Sequence, residues 1–174
     1  NPAWLAQLRP WQEGDVYDPE DVAELERRLL DTGVYDTVAV ALSARDDVDE
    51  QGRRRVLVSL SDRPRRTLEL GASYSTLEGF GVDSRWSRYN VLGRADTLAL
   101  IARLSELDSR IGADLTLPHW RRAAQTLHLN AAAYRNETDA YEETGLGVGA
   151  DLRRRYGANS FVTVGASLDV TRNN

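Results

Sequence analysis

Phe161-Val162-Thr163-Val164-Gly165-Ala166-Ser167-Leu168-Asp169-Val170 is the stretch that decides the fold. Val162, Val164, Ala166, Leu168 and Val170 are apolar, and small or polar residues stand between them. A period of two belongs to a β-strand, whose successive side chains point to opposite faces. A run of about ten residues exceeds the five or six of an ordinary strand and suits a tilted strand crossing a bilayer.

The same pattern repeats upstream, back to Thr67. Leu146, Val148, Ala150 and Leu152 share a face, as do Leu127, Leu129, Ala131 and Ala133. Ile111, Ala113, Leu115 and Leu117 form another set, and Leu98, Leu100, Ala102 and Leu104 the next. Val82 and Trp86 mark a weaker segment; Leu68, Leu70, Ala72 and Tyr74 mark the first. Seven segments result. Their opposite faces carry Glu69, Asp83, Arg85, Arg103, Asp114, His128, Asn130, Asp151, Arg153 and Asp169, with many glycines and serines. A soluble β-sandwich or β-barrel binding a small ligand alternates in the same way, so the period alone does not separate the two. Long uniform strands, small residues on the polar face and aromatics near strand ends lean toward a membrane barrel. Those aromatics are Trp86, Tyr89, Trp120, Tyr134 and Tyr156, read as residues of the membrane interface.

Residues 1–62 follow other periods. Pro2 to Leu8 reads as a short helix. Asp18 caps a second one, with Pro19 in its first turn and Glu20 and Asp21 at the positive end of its dipole. Val22, Leu25, Leu29 and Leu30 recur at helical spacing, and Gly33 ends the run. Val34 to Leu42 alternates, Asp46 to Gly52 turns, and Arg55 to Leu60 alternates again, which makes a hairpin. The predicted fold is therefore a helix-helix-strand-strand α+β module over 1–65, followed over 66–174 by an incomplete, all-β antiparallel transmembrane barrel of about seven strands.

Composition narrows the function. A chain of 174 residues with negative mean hydropathy holds no apolar run long enough for a transmembrane helix, which leaves barrels untouched. It has no cysteine, which excludes disulfides and thiolate chemistry, and a net charge of −5 argues against nucleic acid as a partner.

Gly14-Asp15-Val16-Tyr17, a helix, and then Leu29-Leu30-Asp31-Thr32-Gly33-Val34-Tyr35-Asp36-Thr37-Val38 resemble the signature of POTRA modules. Gly14, Tyr17, Gly33 and Tyr35 carry that likeness; Val34 intervenes between glycine and aromatic, and tyrosine replaces the common phenylalanine. Pro64-Arg65 and Leu70 to Gly79 are similar to the opening barrel strand of the outer-membrane protein assembly superfamily, nearest its TamA-like branch and further from BamA. Asn90-Val91-Leu92-Gly93-Arg94 resembles the turn after that family's second strand, and Leu117-Pro118 the end of its fourth. The likeness covers nearly the whole chain. A POTRA first strand is missing ahead of Pro2, and bacterial single-chain barrels have an even number of strands, at least about eight. With the start at Asn1, without methionine or leader, the chain reads as a fragment.

The resemblance implies assembly, insertion or translocation of proteins at the Gram-negative outer membrane, including autotransporters, without enzymatic activity or cofactor. Leu68, Glu69, Leu70, Gly71, Ala72, Ser73, Tyr74, Ser75 and Thr76 would form the lateral gate, a strand to which client strands add by β-augmentation. Gly71 and the small polar Ser73 and Ser75 suit weak pairing, although on their own they equally suit a barrel lumen. Implied partners are client outer-membrane proteins, outer-membrane lipid and a periplasm-spanning, TamB-like companion subunit. Residues 1–65 would lie in the periplasm with the turns near Asn90, Trp120 and Gly157. Those near Glu78, Asp108 and Asp139 would face outward. The hairpin edges at Val38–Leu42 and Val56–Leu60 are further candidates for strand addition.

Sharper motifs are weaker. Gly145-Leu146-Gly147-Val148-Gly149-Ala150 matches a dinucleotide fingerprint, but the alternation runs straight through it where a helix is required. His119, beside Trp120 in a turn, and His128, on a polar face, are expected to be solvated and structural; no nucleophile motif or metal spacing accompanies them. Asn136-Glu137-Thr138 is a formal sequon in an exposed loop. Arg53-Arg54-Arg55 and Arg153-Arg154-Arg155 are basic runs able to touch anionic headgroups, the first more simply a solvated strand start.

Overall fold

A computed structural model describes residues 2–76, 79–137, 142–156 and 160–173. The turns expected near Glu78, Asp139 and Gly157 and the sequon's Thr138 lie outside the described residues.

Two helices open the chain, α1 (Pro2–Leu8) and α2 (Pro19–Leu30). The Asp18 carboxylate accepts from the Glu20 N–H at 2.8 Å, capping α2 as its sequence predicts. Leu25 and Leu29 are buried, whereas Leu30, expected on the same stripe, points away and is 44% exposed. Gly33 adopts φ +72° just past the helix end, where glycine avoids the Cβ penalty of left-handed backbone. Strands β1 (Tyr35–Leu42) and β2 (Val56–Asp62) follow as an antiparallel hairpin. Val34 falls just before the strand and is buried instead.

The remaining strands form one antiparallel sheet in chain order: β3 (Arg66–Ser75), β4 (Gly79–Tyr89), β5 (Thr97–Ser105), β6 (Asp108–Leu117), β7 (Gln125–Glu137), β8 (Glu142–Arg155) and β9 (Phe161–Asn173). Among the described residues the sheet is open: β3 pairs only with β4, and β9 only with β8. Register locks the two faces apart. Leu68, Trp86, Leu100, Ala113, Ala131, Val148 and Leu168 form one cross-strand row over all seven strands. Because the side-chain period is two, a one-residue slip at any strand would turn its opposite face into that row. Among the described residues nothing covers this face: Leu70 is 72% exposed and Val164 69%. A continuous apolar surface of this extent is not that of a water-soluble monomer. Strands of 9–14 residues are long enough to cross an apolar band of about 25 Å.

On the other face, long side chains lie over glycines of the neighbouring strand. A Cβ on Gly145 would sit 2.5 Å from Tyr134 Cζ, and one on Gly147 2.9 Å from Asp169 Oδ2. The glycines of the apparent dinucleotide fingerprint thus seat neighbouring side chains on a strand that runs straight through.

Candidate functional site

Two features can carry function: the free edge of β3, and the contact between the N-terminal module and one end of the sheet.

The edge follows from pairing. All ten residues of β3, from Arg66 opposite Arg88 to Ser75 opposite Gly79, are in register with β4 alone among the described strands, so alternate residues turn their backbone groups to the open side. The strand begins two residues before the expected Leu68 and ends at Ser75; Thr76 belongs to the turn. Leu68, Leu70 and Tyr74 are 63%, 72% and 77% exposed on the apolar face. Gly71 faces the polar side, where Asp83 occupies the room its side chain would need. Ser73 lies close over Gly81. The edge therefore offers backbone donors and acceptors flanked by small residues.

The contact at the sheet's end is built from hydrophobic burial. Trp4, Leu8, Leu25, Leu29, Val34 and Val38 form the module's core, and Ala95, from the turn between β4 and β5, completes it. Tyr89 packs against the same cluster, with its hydroxyl 3.4 Å from Thr67 Oγ1. It was expected at the lipid interface and sits in this junction instead, because its parity along β4 is opposite to that of Trp86.

Asp96 fixes the turn. Fully buried, its carboxylate accepts from the backbone N–H groups of Val91 (3.0 Å), Leu92 (2.8 Å) and Arg94 (3.4 Å). Asn90 Oδ1 takes the Ala95 N–H at 3.1 Å. Asn90 and Ala95 both have φ of 58°, strain that these bonds offset. The turn motif was legible, but its organiser, two residues past the quoted stretch, was missed.

His119, from the turn between β6 and β7, is 6% exposed, against the expectation of a solvated residue. Its Nδ1 accepts from the Ala124 N–H at 3.0 Å, which assigns the proton to Nε2. That N–H donates to the Arg28 carbonyl in the last turn of α2 at 2.9 Å. The Trp4 ring meets the imidazole edge-on at 6.2 Å. Burial holds the imidazole below its usual pKa, outweighing the opposing bond to Arg28, so the neutral ring is the resident form. The Arg28 guanidinium donates to Glu24 and to the Leu8 carbonyl, joining the two helices. Beside it, Arg155 at the end of β8 reaches Asp31 at 2.7 Å.

The other expected residues are dispersed. Gly14 (φ +96°) makes a turn in open space, Tyr17 is 53% exposed, and Tyr35 is half-buried at the start of β1. Trp86 shares the apolar face. Arg121 stacks over Trp120 at 4.4 Å, and Arg154 over Tyr156 at 5.0 Å. Tyr134 departs from the expected interface: it points to the polar face, where its hydroxyl donates to Asp169 at 2.6 Å. His128 pairs with Asp151 on that face at 3.2 Å. A groove of about 940 Å³ runs between the helices and β2, lined by Leu5, Tyr17, Val22, Leu25, Val56 and Val58 among others. Among the described residues no group of three or more histidine or acidic side chains could hold a metal.

Long antiparallel strands with one bare apolar face, one polar face and a small α+β module at their end define an open antiparallel sheet of the kind that walls a β-barrel. Residues 90–174 match the Omp85 superfamily domain. The outer membrane protein assembly factor BamA of Neorickettsia risticii (strain Illinois) is 31% identical over 98 residues, covering 56% of this chain and 13% of that protein. Among solved structures, BamA from Haemophilus ducreyi lacking POTRA domains 1–3 superposes with a TM-score of 0.79 at 18% identity, over 99% of this chain and 33% of that one. CdiB from Escherichia coli gives 0.70 at 17% identity, over 100% of this chain and 35% of the other. The family match and the BamA relative together support the Omp85 superfamily, and the solved structures support the fold. The chain spans about a third of those solved chains and 13% of the curated relative.

Proposed function

We propose that this chain serves protein assembly or translocation at the bacterial outer membrane, with β3 as a lateral gate that templates incoming client strands. The carrying observation is the ten-residue β3, paired on one side only, at the edge of a bilayer-length sheet. A strand entering lipid needs every backbone group paired, and a free edge supplies partners as the strand arrives. Residues 1–65 act as a POTRA-like periplasmic module, a reading supported by the superposition over 99% of the chain. That module places the ends of β3 and β4 nearest it, with the turns around Asn90 and His119, on the periplasmic side. The motif order noted above favours a TamA-like branch with a TamB-like companion. The groove along β2 is the candidate for a periplasmic peptide. The alternative of a soluble ligand-binding β-domain has no observation in its favour and is opposed by the bare apolar face.

The test is site-specific photocrosslinking in the intact protein. A photoreactive residue at Ser73, on the free-edge strand, should capture client barrel strands during assembly, whereas one at Leu115, mid-sheet, should not. Capture at neither position, with assembly proceeding normally, refutes the gate.

A further inference from the structure

Arg66 and Arg88 stand directly opposite each other on β3 and β4. Cross-strand Cβ atoms lie about 4.5–5.5 Å apart, and like charges so placed repel. The row through them continues as Leu98, Leu115, Leu129, Ala150 and Ala166, and the adjacent row holds Leu68 and Trp86. Neither row contains a carboxylate. Both arginines are exposed, and among the described residues neither makes an ion pair or a side-chain hydrogen bond. Their situation differs from that of Arg135 near the other end of the same face, which Glu137 holds at 3.1 Å and Glu142 at 2.8 Å. It differs also from Arg154, stacked on Tyr156.

Two unneutralised guanidiniums therefore sit on an apolar surface at the end of the sheet that meets the module, where Arg65 accepts the Tyr89 N–H at 3.0 Å. An arginine stem lies along apolar surface while its head reaches the headgroup layer, and its planar fork matches phosphate oxygens. A zwitterionic lipid brings its own ammonium to that layer; an anionic one leaves its negative charge for the protein. We infer that Arg66 and Arg88 form a binding site for the phosphate of an anionic phospholipid in the leaflet nearest the module, bridging the first two strands of the sheet. The inference rests on the reading that the apolar face meets lipid.

The intact protein, extracted in detergent, is titrated with phosphatidylglycerol, phosphatidylcholine or inorganic phosphate and followed by native mass spectrometry. Phosphatidylglycerol should be retained by the wild type and about tenfold or more less by R66Q/R88Q, since each basic residue at the surface contributes on the order of 1 kcal/mol. Phosphatidylcholine adducts should be equal in both. R66K/R88K, which keeps the charge, should retain a clear preference for phosphatidylglycerol; if R66Q/R88Q fails to fold, R66Q and R88Q separately should each lose part of the preference. Equal retention by the variants, no preference over phosphatidylcholine, or equal competition by inorganic phosphate overturns the site. Absence of all lipid adducts overturns the lipid-facing reading beneath it.

Discussion

Replacing His119 with alanine is the most direct way to ask whether the module is held to the sheet. The change removes the Nε2–H bond to the Arg28 carbonyl at 2.9 Å and the acceptor of the Ala124 N–H at 3.0 Å. Each bond contributes about 0.5–1.5 kcal/mol net. Loss of the edge-on Trp4 contact adds about 0.5–1.5 kcal/mol. The Ala124 bond lies within the turn, so the two contacts that cross the junction set the loss: the docked module should lose about 1–3 kcal/mol against an undocked state, a factor of roughly 5 to 150 in population. Hydrogen exchange at Leu25 and Leu29, buried in α2 under this contact, reads that factor as lost protection. His128→Ala is the control: its imidazole is 36% exposed and its partner Asp151 43%, so α2 protection should not change. Unchanged protection in His119→Ala would refute the latch. The same residue gives a pH dependence of definite sign. Burial depresses its folded pKa below the unfolded 6.5, so its contribution is complete above that value. It declines as pH falls below 6.5 and is lost once the folded pKa is passed, with a slope of at most about 1.4 kcal/mol per unit. His119→Ala should lose this part of the dependence.

Asp96→Ala strips three backbone N–H groups of a buried carboxylate and should lower stability by about 3 kcal/mol or more in thermal unfolding, with Asp96→Asn recovering part of it. Leu29→Ala should cost about 2–5 kcal/mol and Leu30→Ala under about 1, which equilibrium unfolding resolves because one side chain is buried and the other is 44% exposed. Arg155→Gln should weaken docking by no more than about 1 kcal/mol, and salt should erase the difference, since both partners are part-exposed. Gly71→Val meets only the mobile end of Asp83, so the sheet should fold, while the β-branched residue stiffens β3 and slows client insertion in a single-turnover assembly assay.

Much of the sheet is readable from parity. Once Leu146 and Val170 are assigned one face, the face of every other residue in the two strands follows, because β pairing preserves the alternation. Parity would also have placed two misread aromatics. Tyr134 is one residue out of phase with Ala131 and Ala133, and Tyr89 is out of phase with Trp86. Position near a strand end, used alone, put them at the lipid interface; the alternation puts them on the other face. His119 had no comparable signal. Its partner Arg28 is 91 residues away, and Arg155 is 124 from Asp31, so neither contact leaves a local trace. Asp96 did leave one: an acid closing a glycine-containing turn is placed to collect backbone N–H groups.

The junction and the edge are not independent. Asp62 ends β2 and Arg66 begins β3, so their Cα atoms are at most about 14 Å apart. Arg63 is tied back to the module, its N–H donating to the Val34 carbonyl at 3.0 Å and its guanidinium meeting Asp36 at 2.8 Å. Arg65 is tied forward, accepting the Tyr89 N–H. Only Pro64 stands between these anchors, and its ring fixes its own φ. A module displaced from Ala95, His119 and Arg155 therefore pulls on the first residues of β3, where Arg66 and Arg88 already repel. Loosening the α2 contact should thus expose the β3–β4 pairing from its module end first. In His119→Ala, exchange at Thr67 and Leu68 should rise before exchange at Ser73 or Tyr74; equal protection along the strand would show that the module and the edge act separately.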